Sequence, residues 1–467
     1  MSRTNTLAVA LAATAFAPFS FAADNADLDQ IRGEINALRQ SYESRISELE
    51  ARLKKAETSQ AASLAAEAGA SATPGVAPVA AVSSAAAGTA SGVGLNPNVS
   101  LILSGTYANF SRKPEDYRIS GFMPGGEVAP GPRGFSLGES ELGFSASVDH
   151  LFYGQANFAV SPDNEISAEE AFIQTTALPA GLKVKAGRFF SGLGYLNEQH
   201  AHTWDFVDNP LVYQAFLGTQ FAQDGVQFKW LAPSDTFLEI GAEAGRGSKF
   251  PGSEVSRNGS GAQAVFAHVG GDIGVSNSWR AGLSYLSASP KNRDYDETDV
   301  LGNSVTNSFS GRSRLVGADF VWKWAPNGNA DRQNFKLQGA YFRRKEDGDL
   351  VYDRAATAQS DRYTSSQSGW YLQGIFQFMP AWHVGLRYDL LNSGAVDYAS
   401  NAANLNTVDY RPTKTSLMFD WSPSEFSRVR LQLARDKSRQ IDGVAAPDNQ
   451  LYLQYQMSLG AHGAHSY

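Results

Sequence analysis

Apolar and polar residues alternate with a period of two from about residue 97 to the end of the chain. In the segment 451–459, every odd position is apolar or aromatic, and three of the four even positions are Gln or Ser. The segments 382–390, 429–433 and 226–230 repeat the alternation. Because successive side chains of a strand point to opposite faces, this pattern predicts half-buried β-strands.

Sixteen such segments lie within residues 97–467, which predicts an all-β transmembrane barrel of about 16 antiparallel strands. They lie near 98–110, 136–148, 151–160, 167–177, 181–189, 223–231, 236–245, 263–270, 278–287, 312–324, 334–345, 369–378, 382–391, 413–421, 426–435 and 449–459. Short turns between them alternate with a set of mostly long loops. That set is 111–135, 161–166 (its one short member), 190–222, 246–262, 288–311, 346–368, 392–412 and 436–448. Short turns on one rim and long loops on the other are typical of outer-membrane barrels, whereas a soluble sandwich has no reason to separate them.

The N-terminal part of the chain carries three other patterns. Residues 1–22 contain Arg3, an Ala-rich apolar run and a small-x-small motif ending at Ala22, which predicts a secretory signal peptide. Residues 23–57 carry apolar residues at spacings of three and four, which predicts a short α-helical coiled coil in the periplasm. Residues 58–96 are mainly Ala, Gly, Ser, Thr, Val and Pro and predict a flexible linker.

The narrow apolar seam of the coiled coil favours a homo-oligomer, and porins of this size usually form trimers. A single amphipathic helix packed on another surface is the alternative.

Composition excludes several classes of function. The 467 residues include no cysteine, which rules out disulfides, zinc–thiolate sites and thiol catalysis. The net charge of -8 argues against a nucleic-acid partner. The segment Gly134-Phe135-Ser136-Leu137-Gly138 matches a serine-nucleophile motif, but a strand follows where that motif requires a helix. We therefore do not expect an enzyme.

If the apolar positions face lipid, the alternate positions face the lumen. The predicted pore-lining residues are Lys183, Lys185, Lys229, Arg280, Lys323, Lys336, Arg344, Arg387, Arg428 and Arg430, with the acidic residues Glu139, Glu141, Asp319, Asp389 and Asp420. A polar wall of this kind predicts a water-filled channel, and the basic excess predicts a mild preference for anions. Wall charges that pair with one another and give no selectivity are the alternative.

The third loop of the long set, 190–222, is the longest and combines Gly, aromatic and charged residues. In general porins the third loop folds inward and narrows the pore. We therefore expect Glu198, His200, His202 and Asp205 at the pore constriction. Two imidazoles spaced two residues apart in an extended loop can share a zinc ion with nearby carboxylates, which makes His200 and His202 candidate metal ligands. A hydrogen-bonding pair that only stabilises the loop is the alternative, and no other cofactor is expected. A second pair, His462 and His465, lies in the C-terminal tail.

Several short segments resemble a proteobacterial outer-membrane family of porin-like proteins described as zinc-regulated TonB-dependent receptors. They are 95–100 (LNPNVS), 133–141 (RGFSLGESE), 187–190 (GRFF) and 460–465 (GAHGAH). The plan of a coiled coil followed by sixteen strands is also similar to that of phosphate-selective and sugar porins. The first resemblance implies a link to zinc limitation. However, the residues after the linker supply neither the globular plug nor the 22 strands of a TonB-dependent receptor.

The sequence as a whole predicts a porin-like channel in the outer membrane of a Gram-negative bacterium, with an N-terminal stalk in the periplasm. Its expected partners are outer-membrane lipid and small hydrophilic solutes or ions, which would diffuse passively. A TonB-dependent metal or chelate receptor and a non-conducting envelope scaffold or adhesive barrel are the alternatives.

Overall fold

The computed structural model describes residues 97–460 except 124, 127, 164 and 442. The predicted signal peptide (1–22), coiled coil (23–57) and linker (58–96) lie outside the described residues, as do His462 and His465.

The described residues form twenty β-strands and one α-helix. The strands are β1 (Asn98–Phe110), β2 (Gly134–Leu137), β3 (Ser140–Ser147), β4 (Phe152–Val160), β5 (Ile166–Thr175), β6 (Leu182–Phe190), β7 (Ala222–Leu231), β8 (Phe237–Gly245), β9 (Ala262–Ile273), β10 (Asn277–Ala288), β11 (Arg293–Thr298), β12 (Ser304–Trp324), β13 (Asn334–Tyr352), β14 (Gln359–Met379), β15 (Trp382–Asp397), β16 (Thr413–Ser424), β17 (Ser427–Lys437), β18 (Gln440–Ile441), β19 (Val444–Ala445) and β20 (Asp448–Gly460). The helix α1 is Leu211–Leu217, and short 3₁₀ turns lie at Pro114–Asp116, Pro179–Gly181, Ala201–Thr203, Pro326–Gly328 and Ala399–Ala403. Within the described residues, no helix is both long and apolar enough to cross a membrane.

The strands close into one antiparallel barrel. Strand β1 pairs with β20 on one side and with β2 and β3 on the other, so the barrel wall is closed. Strands β2 and β3 occupy one position in the barrel, while β11 pairs only with β12 and β18 pairs only with β19. The barrel therefore has sixteen antiparallel strands, which confirms the predicted fold class.

The outer face has the layering of a membrane barrel. The exposed aromatic side chains Trp382 and Trp421 stack beside the short turns, with ring centroids 5.9 Å apart. Trp370 and Tyr388 form a second exposed pair further up the wall. On β14, Trp370 and Phe378 are separated by about 27 Å of strand, or roughly 21 Å along the barrel axis at a typical tilt. Aromatic girdles about 25 Å apart, with an apolar band between them, match the hydrocarbon core of an outer membrane.

Strands β12, β13 and β14 extend further than the alternation predicts. They contain 21, 19 and 21 residues, respectively, and run into segments that the sequence assigned to loops. In these extensions the outward face is polar, as at Arg362, Thr364 and Ser366, whereas Phe309, Leu350 and Tyr363 are buried on the inside in an apolar cluster. The outward apolar face that marks a lipid-facing strand is therefore missing, because a strand above the membrane needs no such face to keep its backbone hydrogen bonds.

The inner wall is only partly polar, which corrects the expectation that lumen-facing positions are polar throughout. Leu286, Leu315, Phe342, Tyr371 and Leu391 are buried inside the barrel and belong to one apolar cluster with residues of the segment 191–221. This internal core packs the third loop against the wall.

A loop across the lumen and its histidine–glutamate cluster

The third loop, residues 191–221, folds into the barrel. Its helix α1 is buried along its whole length and lies in the same apolar cluster as Leu286, Leu315 and Phe342 of the wall. Gly218 ends the helix in the left-handed conformation, with φ at 63°. Gly192 passes close to the wall, because a Cβ there would lie 2.5 Å from the ring of Phe266.

Hydrogen bonds join this loop to strands around the barrel. Arg430 Nη2 donates to the Trp204 carbonyl at 2.6 Å, and Gln456 Nε2 donates to the His202 carbonyl at 3.1 Å. Two strands elsewhere on the wall hold the helix: the Leu211 amide donates to Asp389 at 3.0 Å, and Arg344 donates to the Ala215 carbonyl at 3.2 Å. The loop therefore crosses the lumen instead of following one side of it.

Asn197 closes the neck of the loop. Its Nδ2 donates to the carbonyls of Ser191 and Phe221 at 2.8 and 2.9 Å, and its Oδ1 accepts from the Phe221 amide at 2.7 Å. Because Asn197 is fully buried, these bonds replace water for the backbone at both ends of the loop.

Glu198 and Asp205 do not lie beside the histidines, contrary to the predicted arrangement. Glu198 accepts from Lys229 Nζ at 2.6 Å, and Asp205 accepts from Lys336 Nζ at 2.7 Å. Each acid anchors the loop to a basic wall residue, so neither completes the expected set of metal ligands.

The two histidines instead face glutamates of the wall. His200 Nδ1 lies 3.1 Å from Glu169 Oε2 and 3.3 Å from Glu141 Oε2, and His200 Nε2 lies 3.0 Å from Glu170 Oε2. His202 Nδ1 lies 2.9 Å from the same Glu141 oxygen. The two imidazoles stack, with ring centroids 5.7 Å apart. Within the described residues, Glu141, Glu169 and His200 form a group whose potential ligand atoms all lie within 4.8 Å of one another.

A β-bulge brings both Glu169 and Glu170 to this cluster. In the pairing of β4 with β5, Asn157 is opposite Glu170, while the next residue, Phe158, is opposite Ala168. Glu169 is therefore an extra residue in β5. A regular strand would direct two consecutive side chains to opposite faces, whereas a bulge can re-aim one of them.

Burial and hydrogen bonding act in opposite directions on His200. Burial lowers the pKa of the imidazole, but hydrogen bonds to Glu141, Glu169 and Glu170 outweigh it and hold that pKa well above its ordinary value. A metal ion at His200 would therefore compete with a proton.

The predicted pore-lining residues occupy the inner face to different degrees. Glu141, Asp319, Arg344, Arg387, Asp389, Asp420 and Arg430 are buried; Lys185, Lys229, Arg280, Lys323, Lys336 and Arg428 are half-buried; and Lys183 and Glu139 are exposed. Many of the cations have carboxylate partners. Arg387 pairs with Asp208 at 2.8 Å and Asp389 at 3.1 Å, and Arg428 pairs with Asp420 at 3.0 Å.

A different part of the wall contains buried polar atoms without a protein partner. Both carboxylate oxygens of Asp319, the Nε and one Nη of Arg280, and Nε2 of His268 have none. These residues lie on β12, β10 and β9, which are consecutive around the barrel. The guanidinium of Arg280 also lies 5.4 Å from the ring centroid of Tyr195 in the crossing loop.

Sequence reasoning missed Glu169, Glu170, Asp208 and Lys414. Lys414 shares its strand face with Asp420, so the alternation could have identified it. The bulge that makes Glu169 and Glu170 inward-facing has no signal in the alternation, and neither does the position of Asp208 within a loop.

Comparison with known proteins gives limited relationships. No protein-family model matches the chain. An uncharacterized protein of Aquifex aeolicus (strain VF5) is 29% identical over 399 residues, covering 79% of this chain and 80% of that protein.

Among solved structures, the trimer form of OmpT, an outer membrane protein of Vibrio cholerae, has a TM-score of 0.49 at 11% identity, covering 78% of this chain and 99% of that one. The outer membrane channel DcaP of Acinetobacter baumannii has a TM-score of 0.48 at 14% identity, covering 80% of this chain and 100% of that one. An anion-selective porin from Comamonas acidovorans has a TM-score of 0.46 at 9% identity, covering 78% and 99%, respectively. At these scores, the solutes and oligomeric states of those proteins are not transferred to this chain. None of the three is described as a zinc-regulated or TonB-dependent receptor, so that part of the sequence resemblance is unsupported.

Proposed function

We propose that the protein is a porin-like outer-membrane channel for the passive diffusion of small hydrophilic solutes or ions, narrowed by the loop 191–221. The observation that carries this proposal is the group of unpartnered polar atoms on Arg280, Asp319 and His268. Leaving a buried charged group without any partner costs several kcal/mol, so such groups require water or a polar solute. A hydrated passage therefore runs between the crossing loop and the wall formed by β9, β10 and β12.

The crossing loop limits what can pass. Its contacts around the barrel leave no room for a wide pore of the general-porin type, so we expect small conductance steps. The same contacts are the observation that favours a second candidate, a non-conducting envelope scaffold. A TonB-dependent receptor has no comparable support, because the described residues form a barrel of sixteen strands and the segment inside the barrel is an internal loop.

Ion selectivity is expected to be weak. The basic residues predicted to favour anions are in part neutralised by acids of the loop, as in Lys229 with Glu198 and Lys336 with Asp205. The predicted mild anion preference therefore rests on the cations without such partners, of which Arg280 is the clearest case.

The channel is tested by recording purified full-length protein in planar lipid bilayers. We expect stable conductance steps, a shift of the reversal potential toward cations in Arg280→Gln, and a shift toward anions in Asp319→Asn. Arg343→Gln is the matched control, because Arg343 lies on the outer face of β13 and is exposed. Silent bilayers with correctly folded protein would favour the scaffold. Unchanged selectivity in both inner variants would refute the proposed passage.

We further propose that residues 23–57 form a periplasmic stalk that assembles the protein as a homotrimer after removal of residues 1–22, with 58–96 linking the stalk to the barrel. The heptad spacing of the apolar residues supports this assembly. An even strand count puts both barrel ends on the same side of the membrane, and this supports a periplasmic stalk because short turns typically face the periplasm.

A further inference from the structure

We propose that Glu141, Glu169, His200 and His202 form a binding site for a divalent transition-metal cation inside the barrel. The donor set of carboxylate oxygens and imidazole nitrogens suits Zn²⁺ and similar first-row ions better than Ca²⁺ or Mg²⁺, which prefer oxygen ligands alone. The proposal goes beyond the channel function and does not depend on it, because a cation can bind whether or not solutes pass.

The distances fit a tetrahedral site. Two ligands bound to zinc at about 2.0–2.1 Å and at the tetrahedral angle lie about 3.3–3.4 Å from each other. His200 Nδ1 lies 3.1 Å from Glu169 Oε2 and 3.3 Å from Glu141 Oε2. His202 Nδ1 lies 2.9 Å from that Glu141 oxygen but outside the group of three, so its side chain must move before it can supply the fourth ligand.

The groups behind these ligands are arranged as in known metal sites. A metal-bound histidine almost always uses its second ring nitrogen to contact a carboxylate or carbonyl. Here Glu170 Oε2 lies 3.0 Å from His200 Nε2, and the other oxygen of Glu170 accepts from the Phe190 amide at 3.0 Å. Glu141 is likewise oriented by Asn157, whose Nδ2 donates to Oε1 at 2.6 Å.

Charge also favours a cation. Glu139 interacts with Glu169, so four carboxylates meet at this part of the lumen. Lys185 lies within electrostatic range of Glu170 and is the fixed cation facing the cluster. When a metal ion takes the place of the imidazole protons, the three carboxylates that contact the histidines, Glu141, Glu169 and Glu170, exceed the positive charge of Lys185 by two. A divalent ion would offset that excess.

The site lies near the lowest part of the barrel rim. Strands β4 and β5 contain nine and ten residues and are joined by a short hairpin, whereas β12 and β14 contain 21 each. Glu169 is three residues from the start of β5, or about 10 Å from the rim. A cation in the external solution therefore has a short path to the ligands.

The experiment is equilibrium dialysis of the detergent-purified full chain against ZnCl₂ at pH 7.5, with metal content measured by mass spectrometry. All proteins carry His462→Ala and His465→Ala, so that the tail cannot bind the ion. We expect one zinc per chain, with affinity lowered at least 100-fold in His200→Gln and in Glu169→Gln. Glu170→Gln should lower affinity by 10- to 100-fold, since Glu170 only orients His200.

Two controls keep the result interpretable. Glu198 lies in the same loop as the histidines but pairs with Lys229. The variant Glu198→Gln should therefore bind zinc with the affinity of the parent chain. Heat-modifiable migration on gels and circular dichroism identify variants whose barrel is not folded. If the loop variant His200→Gln fails to fold, Glu169→Gln, which lies in the wall, tests the site in its place. Absence of stoichiometric zinc in the parent chain, parent-like affinity in a folded Glu169→Gln, or equal loss in Glu198→Gln would each overturn the site. None of these outcomes depends on conductance, so they are separate from failure of the channel proposal.

Discussion

The carboxylate of Asp208, whose side chain is 16% exposed, is an electrostatic anchor of the crossing loop. Its two oxygens lie 2.8 Å from Arg387 Nη2 and 2.7 Å from Lys414 Nζ, and Gln432 donates a further hydrogen bond at 2.7 Å. Both cations are almost fully buried, with 1% and 2% of their side chains exposed. Replacing Asp208 by Asn removes the charge but keeps the shape of the side chain.

The free energy of loop docking lost in Asp208→Asn depends on the carboxylate partners that Arg387 and Lys414 keep. Removing one partner of a buried ion pair typically costs about 3–5 kcal/mol. Arg387 keeps Asp389 and Lys414 keeps Asp436, so the lower end applies. A loss of about 3 kcal/mol raises the population of the undocked loop by roughly 150-fold.

The population of the undocked loop can be measured from the rate of cleavage by chymotrypsin, because the loop contains several aromatic cleavage sites. Trypsin is unsuitable, because the loop contains no Lys or Arg. When opening is fast, cleavage follows the open population, so cuts within 191–221 should accelerate by about two orders of magnitude. Asp347→Asn is the control, since Asp347 pairs with Arg314 where half of its side chain is exposed, and such pairs contribute at most about 1 kcal/mol. A folded Asp208→Asn barrel cut at the wild-type rate would refute the anchor.

The same anchor predicts little dependence on pH. Burial raises the pKa of Asp208, but Arg387 and Lys414 outweigh burial and hold that pKa well below its ordinary value. A carboxyl with a depressed pKa contributes its full stabilisation above the ordinary pKa of about 3.9 and loses it only as the pH falls toward the folded-state value. The ratio of the Asp208→Asn cleavage rate to the wild-type rate should therefore be the same at pH 5 and pH 8, because the ratio cancels the pH dependence of chymotrypsin and of His200 in the same loop.

Two further predictions concern the neck of the loop and the stalk. Asn197→Ala removes three buried hydrogen bonds worth about 1 kcal/mol each, so loop cleavage should accelerate by roughly 100-fold while the barrel stays folded. An unchanged cleavage rate would mean that the neck does not hold the loop. Deletion of residues 23–57 should reduce the oligomer seen by light scattering to the monomer or a weaker association. An oligomer of unchanged stoichiometry would assign the apolar seam to another partner.

The barrel could be predicted from the sequence because lipid imposes a strict rule on one face of every strand. Leu453, Tyr455 and Met457 alternate with Gln454 and Gln456 because the odd positions contact the apolar band. The same rule weakens wherever lipid is absent. It therefore gave no sign of the strand extensions above the membrane or of the apolar inner residues that pack against helix α1.

The candidate metal site could be predicted only in part. The spacing of His200 and His202 marks them as a pair, but their carboxylate partners come from strands about 30 and 60 residues earlier in the chain. Proximity in sequence suggested Glu198 and Asp205, whereas the fold directs those two side chains to Lys229 and Lys336. A bulge in β5 places Glu169 at the site, and such a local break in alternation depends on packing that the sequence does not display.

The central claim is that an aqueous passage runs beside the crossing loop, past Arg280. The chain has no cysteine, so Arg280→Cys can be probed in a background without other thiols. The decisive measurement records this variant in a planar bilayer while a membrane-impermeant, negatively charged thiol reagent is added. We expect an irreversible change in conductance and a shift toward cation selectivity, with no effect of the reagent on the wild type. Arg280→Cys that conducts normally and remains unmodified would contradict the proposed passage.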